Sequence, residues 1–127
     1  MRLKNFLLVV SDIEVSKAFY RELFGLQIVT DFGKNVILSG GLVLQEKKAW
    51  EEALGMQVVM GHGSVELYFE EADIEGFVEK LERSSCPIKM VHPLVEEVCG
   101  KKVLRMYDPD GHLIEVGAWR QFDNKLK

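Results

Sequence analysis

Cysteine and proline are scarce in this sequence, and long apolar runs are missing. Among 127 residues the only cysteines are Cys86 and Cys99, which lack CxxC spacing. This disfavours a disulfide framework, a zinc site and a redox motif, and both thiols are expected to be reduced. The apolar run Phe6–Val10 is too short for a signal-peptide core or a membrane span. We therefore expect a cytoplasmic protein with no membrane partner.

The sequence also lacks an excess of positive charge. Its 16 Lys and Arg residues face 20 Asp and Glu residues, which gives a formal net charge of −4. The basic doublets Lys47-Lys48 and Lys101-Lys102 are interpreted as solvated surface pairs. With no positive field to attract phosphates, a nucleic-acid partner is not expected. The apolar and charged fractions are those of an ordinary globular chain, and its length suits one domain, 1–127.

The first part of the chain, about residues 3–46, predicts a β-α-β-β-β module. A strand over residues 3–10 leads to a helix, for which Ser11 and Glu14 have capping-box spacing. Gly25 ends this helix, because glycine readily adopts the left-handed conformation of a helix C-terminus. Glycines then separate three short extended segments, near residues 27–31, 35–39 and 42–46.

The second part, about residues 64–119, repeats this pattern after a connector of about residues 47–63. The connector is expected to hold a single helical turn, Trp50–Leu54. A strand over Ser64–Phe69 precedes a second helix, for which Asp73 is the predicted N-cap. Three further strands are predicted near residues 88–91, 102–107 and 112–118. The sequence therefore predicts an α+β fold of two β-α-β-β-β modules.

Two segments at opposite ends of the chain carry a resemblance to a known superfamily. The first runs from Asp12-Ile13-Glu14-Val15-Ser16 through Phe19-Tyr20 to Phe24-Gly25-Leu26. The second is the closing stretch Tyr107-Asp108-Pro109-Asp110-Gly111-His112-Leu113-Ile114-Glu115-Val116. Together they resemble the first helix and final hairpin of the glyoxalase/bleomycin resistance/extradiol dioxygenase, or vicinal oxygen chelate, superfamily. The resemblance implies an open, curled mixed sheet around a concave pocket, and a homodimer.

Enzymes of this superfamily carry four inward metal ligands, typically His or Glu. By the resemblance, these positions fall on Asn5, Gln45, Ser64 and Glu115 in this chain. Amide and hydroxyl oxygens are weak donors for a transition metal compared with imidazole or carboxylate. We therefore expect no tight metal cofactor. The alternative is a divalent metal held by Glu115 together with a displaced ligand, either Glu66 or His62.

Strand alternation predicts which side chains accompany Glu115 in the pocket, because residues two apart share one face. Glu66 and Glu115 are the candidate catalytic carboxylates, each able to serve as a general base. Alternatively, Glu115 forms a purely structural cross-strand ion pair with Arg105. The remaining candidates are expected to bind the ligand: Asn5, Gln45, Ser64, Tyr68, His92, Arg105 and Tyr107.

Three functions remain open at this point. The first is metal-free binding of a small organic molecule, resembling the bleomycin-resistance branch. The second is a metal-dependent lyase, isomerase or dioxygenase, related to glyoxalase I or the extradiol dioxygenases. The third is metal-free proton transfer by Glu66 or Glu115. Whether the protein is an enzyme is thus undecided by the sequence, and the loss of typical ligands at three of four positions favours binding.

Overall fold

The computed structural model describes residues 1–61 and 63–118, and it divides into two compact units. The first unit spans Met1–Met60, and the second begins at Gly61. Each unit contains one four-stranded mixed sheet, in which a single parallel pair accompanies two antiparallel pairs. The predicted α+β class with two β-α-β-β-β modules is confirmed.

The first unit places its strands in the order β1-β4-β3-β2, with β1 and β4 parallel. Apolar side chains on one face of this sheet are buried, including Leu8, Val36 and Leu44. The connector contains a full two-turn helix rather than the single turn that we predicted. The elements are β1 (Phe6–Val10), α1 (Ile13–Phe24), β2 (Ile28–Asp31), β3 (Asn35–Leu38), β4 (Leu42–Glu46) and α2 (Lys47–Leu54).

Helix α1 begins one residue later than the sequence pattern suggested. Asp12, not Ser11, is the N-cap, and its carboxylate accepts hydrogen bonds from the backbone N–H groups of Glu14 and Val15. Gly25 ends the helix at φ 68°, as predicted. The buried face consists of Ser16, Phe19, Tyr20 and Leu23, whereas Val15 is exposed.

The second unit places its strands in the order β5-β8-β7-β6, with β5 and β8 parallel. One face of the sheet is apolar and buried, including Leu104, Met106 and Ile114, and the opposite face carries most of the predicted site residues. The elements are β5 (Glu66–Glu71), α3 (Ile74–Arg83), β6 (Lys89–Glu96), β7 (Lys102–Tyr107) and β8 (Leu113–Ala118).

Helix α3 and the last hairpin follow the sequence pattern closely. Asp73 caps α3 by accepting a hydrogen bond from the backbone N–H of Gly76 at 3.0 Å, as predicted. The turn between β7 and β8 is closed by hydrogen bonds from Asp108 N to His112 O and from Gly111 N to Asp108 O. None of the helices in the described part of the chain is long and apolar enough to cross a bilayer.

Candidate functional site

Four polar side chains form one line across all four strands of the second sheet. The backbone register pairs Tyr68 with Glu115, Glu115 with Arg105, and Arg105 with His92. Paired residues on adjacent strands present their side chains to the same face. We call these four residues the polar row. The sequence placed Glu115, Tyr68 and Arg105 on one face, and the register confirms that placement.

Arg105 is the centre of the polar row, because it contacts residues on both neighbouring strands. Its Nη2 lies 2.6 Å from Glu115 Oε1, and its Nη1 lies 3.0 Å from His92 Nε2. Glu97 adds a longer contact of 3.9 Å from its Oε2 to the same Nη2. The side chains of Arg105 and Glu115 are 32% and 15% exposed, so the ion pair is largely screened from water. The cross-strand pair considered from the sequence is therefore present.

His92 reaches the polar row because edge strand β6 is irregular. The register shifts between Met90 and His92, and again between His92 and Val95. Such a bulge turns the following side chain to the other face of the sheet. Since guanidinium only donates, His92 Nε2 accepts from Arg105, and Nδ1–H donates to the Pro93 carbonyl at 2.8 Å. The predicted strand ended near residue 91, before His92; His92 lies instead within β6, as a hydrogen-bond partner of Arg105.

Glu66 and Tyr107 lie in the row next to the polar row. Both pair with Leu113, which is two residues from Glu115 along β8. Glu66 is exposed, whereas Tyr107 is half-buried and has Lys89 Nζ 5.5 Å from its ring centroid. The two candidate carboxylates therefore share a face but occupy neighbouring rows.

The remaining predicted site residues have different surroundings. Gln45 is buried on β4, and its Oε1 accepts a hydrogen bond from Asn35 Nδ2 at 2.9 Å. Asn5 and Ser64 are exposed and precede their strands, which begin at Phe6 and Glu66. The predicted strand starts at residues 3 and 64 were therefore too early. His62, like Trp119 at the end of the second module, lies outside the described residues.

These positions do not fit a tight transition-metal site. The Glu115 carboxylate is paired with Arg105, and the Gln45 carbonyl oxygen is already an acceptor for Asn35. Asn5 and Ser64 contribute only neutral oxygens from exposed positions outside the strands. Over residues 1–61 and 63–118, no group of three or more His, Cys, Asp or Glu side chains is placed to hold a metal ion.

An apolar cavity of about 240 Å³ lies on the other side of the second unit's sheet, between α3 and β6. Glu82 is the charged residue that borders it, and none of the predicted site residues does. The polar row and this cavity are therefore separate features. The cavity is lined by Val78, Leu81, Glu82, Ile88, Met90, Pro93, Leu94 and Leu104.

Comparison with models of protein families identifies the class of protein to which this chain belongs. Residues 3–119 match the model of the glyoxalase-like domain, so the chain belongs to that family. The family lies within the vicinal oxygen chelate superfamily, as the sequence motifs indicated. No curated protein matches this sequence.

Solved structures share the fold over almost the whole chain. A protein of unknown function from Agrobacterium tumefaciens str. C58 is 35% identical, with a TM-score of 0.80 over 94% of this chain and 95% of that one. A glyoxalase-related enzyme from Fulvimarina pelagi is 24% identical, with a TM-score of 0.79 over 93% and 88%. A lactoylglutathione lyase from Agrobacterium tumefaciens is 23% identical, with a TM-score of 0.71 over 92% and 92%. The last two likenesses concern the fold alone.

Proposed function

We propose that this protein binds a small organic molecule on the polar row, without a tight catalytic metal. One observation carries the proposal: the carboxylate of Glu115 is held by Arg105 at 2.6 Å. Glu115 is the single position of the four at which the resemblance finds a typical metal ligand. The protein's own guanidinium thus balances the charge that a metal ion would balance in a chelate site.

The geometry of the polar row supports binding because its central groups are fixed before any ligand arrives. Arg105 is held by Glu115 on one side and by His92 on the other, so its guanidinium has little rotational freedom. A ligand that uses such a group loses less conformational entropy on binding. Tyr68, 44% exposed at the end of the row, adds an aromatic surface with a hydroxyl donor.

The metal-free part of the proposal is tested by elemental analysis of the purified protein and by thermal melting. Nickel, zinc, manganese and ferrous iron are added in turn to wild type and to Glu115→Gln. We expect no stoichiometric metal and no saturable stabilisation, whereas a specific ligand at a hundred times its Kd stabilises by about 2.7 kcal/mol. Stoichiometric metal, or saturable stabilisation that Glu115→Gln removes, overturns this part and supports a glyoxalase-like or dioxygenase activity.

The binding part is tested by a small-molecule screen that uses ligand-observed NMR. Compounds that bind wild type are retested on Arg105→Gln and Glu115→Gln, which keep similar volume but break the central ion pair. Lys102→Gln is the matched control, because Lys102 pairs with Glu75 at an exposed position away from the polar row. We expect binding to weaken in the first two variants only. Equal binding by all four proteins would place the ligand elsewhere.

A further inference from the structure

Lys101 lies beside the polar row although it belongs to the turn between β6 and β7. That turn is closed by hydrogen bonds from Glu97 N to Lys101 O and from Gly100 N to Glu97 O. The Lys101 side chain reaches back across the sheet, and its Nζ lies 4.5 Å from the centroid of the Tyr68 ring. The ammonium therefore lies against the face of the Tyr68 ring at a cation–π distance. Of the basic doublet, Lys101 is thus half-buried against Tyr68, whereas Lys102 is exposed.

The close approach of the Lys101 and Tyr68 side chains depends on Gly117. A Cβ atom at Gly117 would lie 2.5 Å from Tyr68 Oη, 2.7 Å from Lys101 Cε and 3.1 Å from Lys101 Nζ. The backbone of Gly117 is ordinary extended strand, so the glycine is needed for space rather than for a positive φ. The absence of a side chain at Gly117 lets the ammonium and the hydroxyl converge above β8.

The charge of Lys101 has no close partner, in contrast to the charge of Arg105. Across the described part of the chain, no carboxylate oxygen lies within 4 Å of its Nζ. Its pKa is raised, chiefly by the hydrogen bond to Tyr68, against the opposing effect of burial, so it stays protonated. Glu115 and Glu97 act on it only at longer range. Two other carboxylates on this face, Glu66 and Glu70, are exposed on edge strand β5.

The surroundings of Lys101 combine this charge with apolar surface. Gly117 pairs in register with Glu70 on β5 and with Val103 on β7, and Val103 pairs with Val95 on edge strand β6. Apart from Glu70 this second row is apolar, and because Val103 is fully buried, Val95, which is 43% exposed, is the apolar side chain of the row that a ligand can contact. A ligand that contacts both Lys101 and Val95 carries one anionic group and a small apolar body.

We propose that Lys101, together with the Tyr68 hydroxyl, binds the carboxylate of a small organic acid. This inference rests on the proposed function and names the class of ligand for the same site. The ammonium donates a charge-assisted hydrogen bond to the carboxylate, the Tyr68 hydroxyl donates a second, and Val95 contacts the body of the acid. Lys101 is then the residue that selects acids over neutral molecules of the same shape.

The experiment compares benzoate with benzamide, which has the same shape but no charge, by titration into labelled protein under NMR observation. Lys101→Gln is the test variant, and Lys89→Gln is the matched control, because Lys89 lies over Tyr107 on the same face of the sheet. We expect benzoate to bind wild type and Lys89→Gln alike, within about twofold. Lys101→Gln should bind it about tenfold more weakly, and Lys101→Arg should recover part of the loss.

The outcomes separate this inference from the proposed function. If benzamide binds as tightly as benzoate and Arg105→Gln weakens both, the site binds small molecules but Lys101 does not select acids. If Lys101→Gln binds benzoate as wild type does, the inference fails, provided that the variant's amide spectrum shows it to be folded. If neither compound shifts any resonance of the polar row, the acid-binding role of Lys101 is overturned, and the wider screen then decides the proposed function.

Discussion

The role of Gly117 can be tested by one substitution. A role in ligand binding predicts a loss of benzoate affinity, whereas a purely structural role predicts a loss of stability. Gly117→Ala leaves the backbone unstrained and pushes only the flexible ends of Tyr68 and Lys101. We expect the free energy of unfolding to fall by less than about 1 kcal/mol, while benzoate affinity falls about as far as in Lys101→Gln. Chemical denaturation and the NMR titration measure the two effects.

Gly25→Ala is the control for this prediction, since the φ of Gly25 is 68° and a Cβ there meets no atom within 4 Å. This variant should lose about 1 kcal/mol of stability through backbone strain and keep its affinity for benzoate. A Gly117→Ala variant that unfolds readily but binds normally would contradict the role given to Gly117.

The pair formed by His112 and Asp108 is expected to make the stability of the protein depend on pH. His112 Nδ1 lies 2.7 Å from Asp108 Oδ2, whose side chain is fully buried. Burial lowers the pKa of His112, but the hydrogen bond and charge of Asp108 outweigh it, so the pKa is raised above 6.5. The contribution of the His112–Asp108 ion pair to folding stability is therefore fully present below about pH 6.5. It is lost as pH rises through the folded-state pKa of His112. Melting temperatures of wild type should fall across this range relative to His112→Gln, and parallel curves for the two proteins would refute the prediction.

Residue positions in the site could be predicted wherever strand alternation holds. The parity of β8 and β7 places Glu115, Arg105 and Gly117 on one face, and the register agrees. His92 could not be assigned in this way, because the bulge that turns it to the polar face leaves no mark in the sequence except Pro93 on an edge strand. Lys101 was missed because the path of a turn residue's side chain depends on the fold.

Among the elements, helix α3 has an N-cap whose contribution can be measured directly. Asp73 accepts a hydrogen bond from the backbone N–H of Gly76, which would otherwise be unpaired in the first turn. Asp73→Ala should lower the free energy of unfolding by about 1 kcal/mol, whereas Asp73→Asn keeps an acceptor oxygen and should cost less. Denaturation by urea measures both, and equal losses in the two variants would show that the cap contributes only through its charge.

Element bounds were predictable where turn residues flank a clear apolar pattern. Strands β4 and β7 have the predicted limits, because glycine or a tight turn stands next to each. Strand β6 runs to Glu96, well past the predicted end at Val91, because an edge strand tolerates Pro93. Helix α2 is longer than the predicted turn, since Lys47–Glu51 adds an i,i+4 ion pair at 3.1 Å.

At the scale of the whole molecule, the property to be tested is whether two copies of the chain form a dimer. The resemblance implies a homodimer, and each sheet taken by itself has two edge strands. Edge strand β5 carries Glu66, Glu70 and Glu71, β6 has Pro93 and bulges, and β2 is short, ends at Asp31 and has a register shift. All of these features discourage pairing with another chain. Strand β1 has the wholly apolar sequence FLLVV and none of these features. If a second copy pairs with an edge strand, β1 is the strand that least resists it.

We therefore expect a mass of twice 14.5 kDa in sedimentation equilibrium across a range of concentrations. Leu7→Lys changes a half-buried position on β1 and should shift the population towards monomer, because a charge on an edge strand opposes strand addition. Val95→Lys places the same charge on β6, where bulges already discourage pairing, and should leave the mass unchanged. A single 14.5 kDa species at all concentrations in wild type would show that the chain is a monomer, and any ligand site is then complete within one copy.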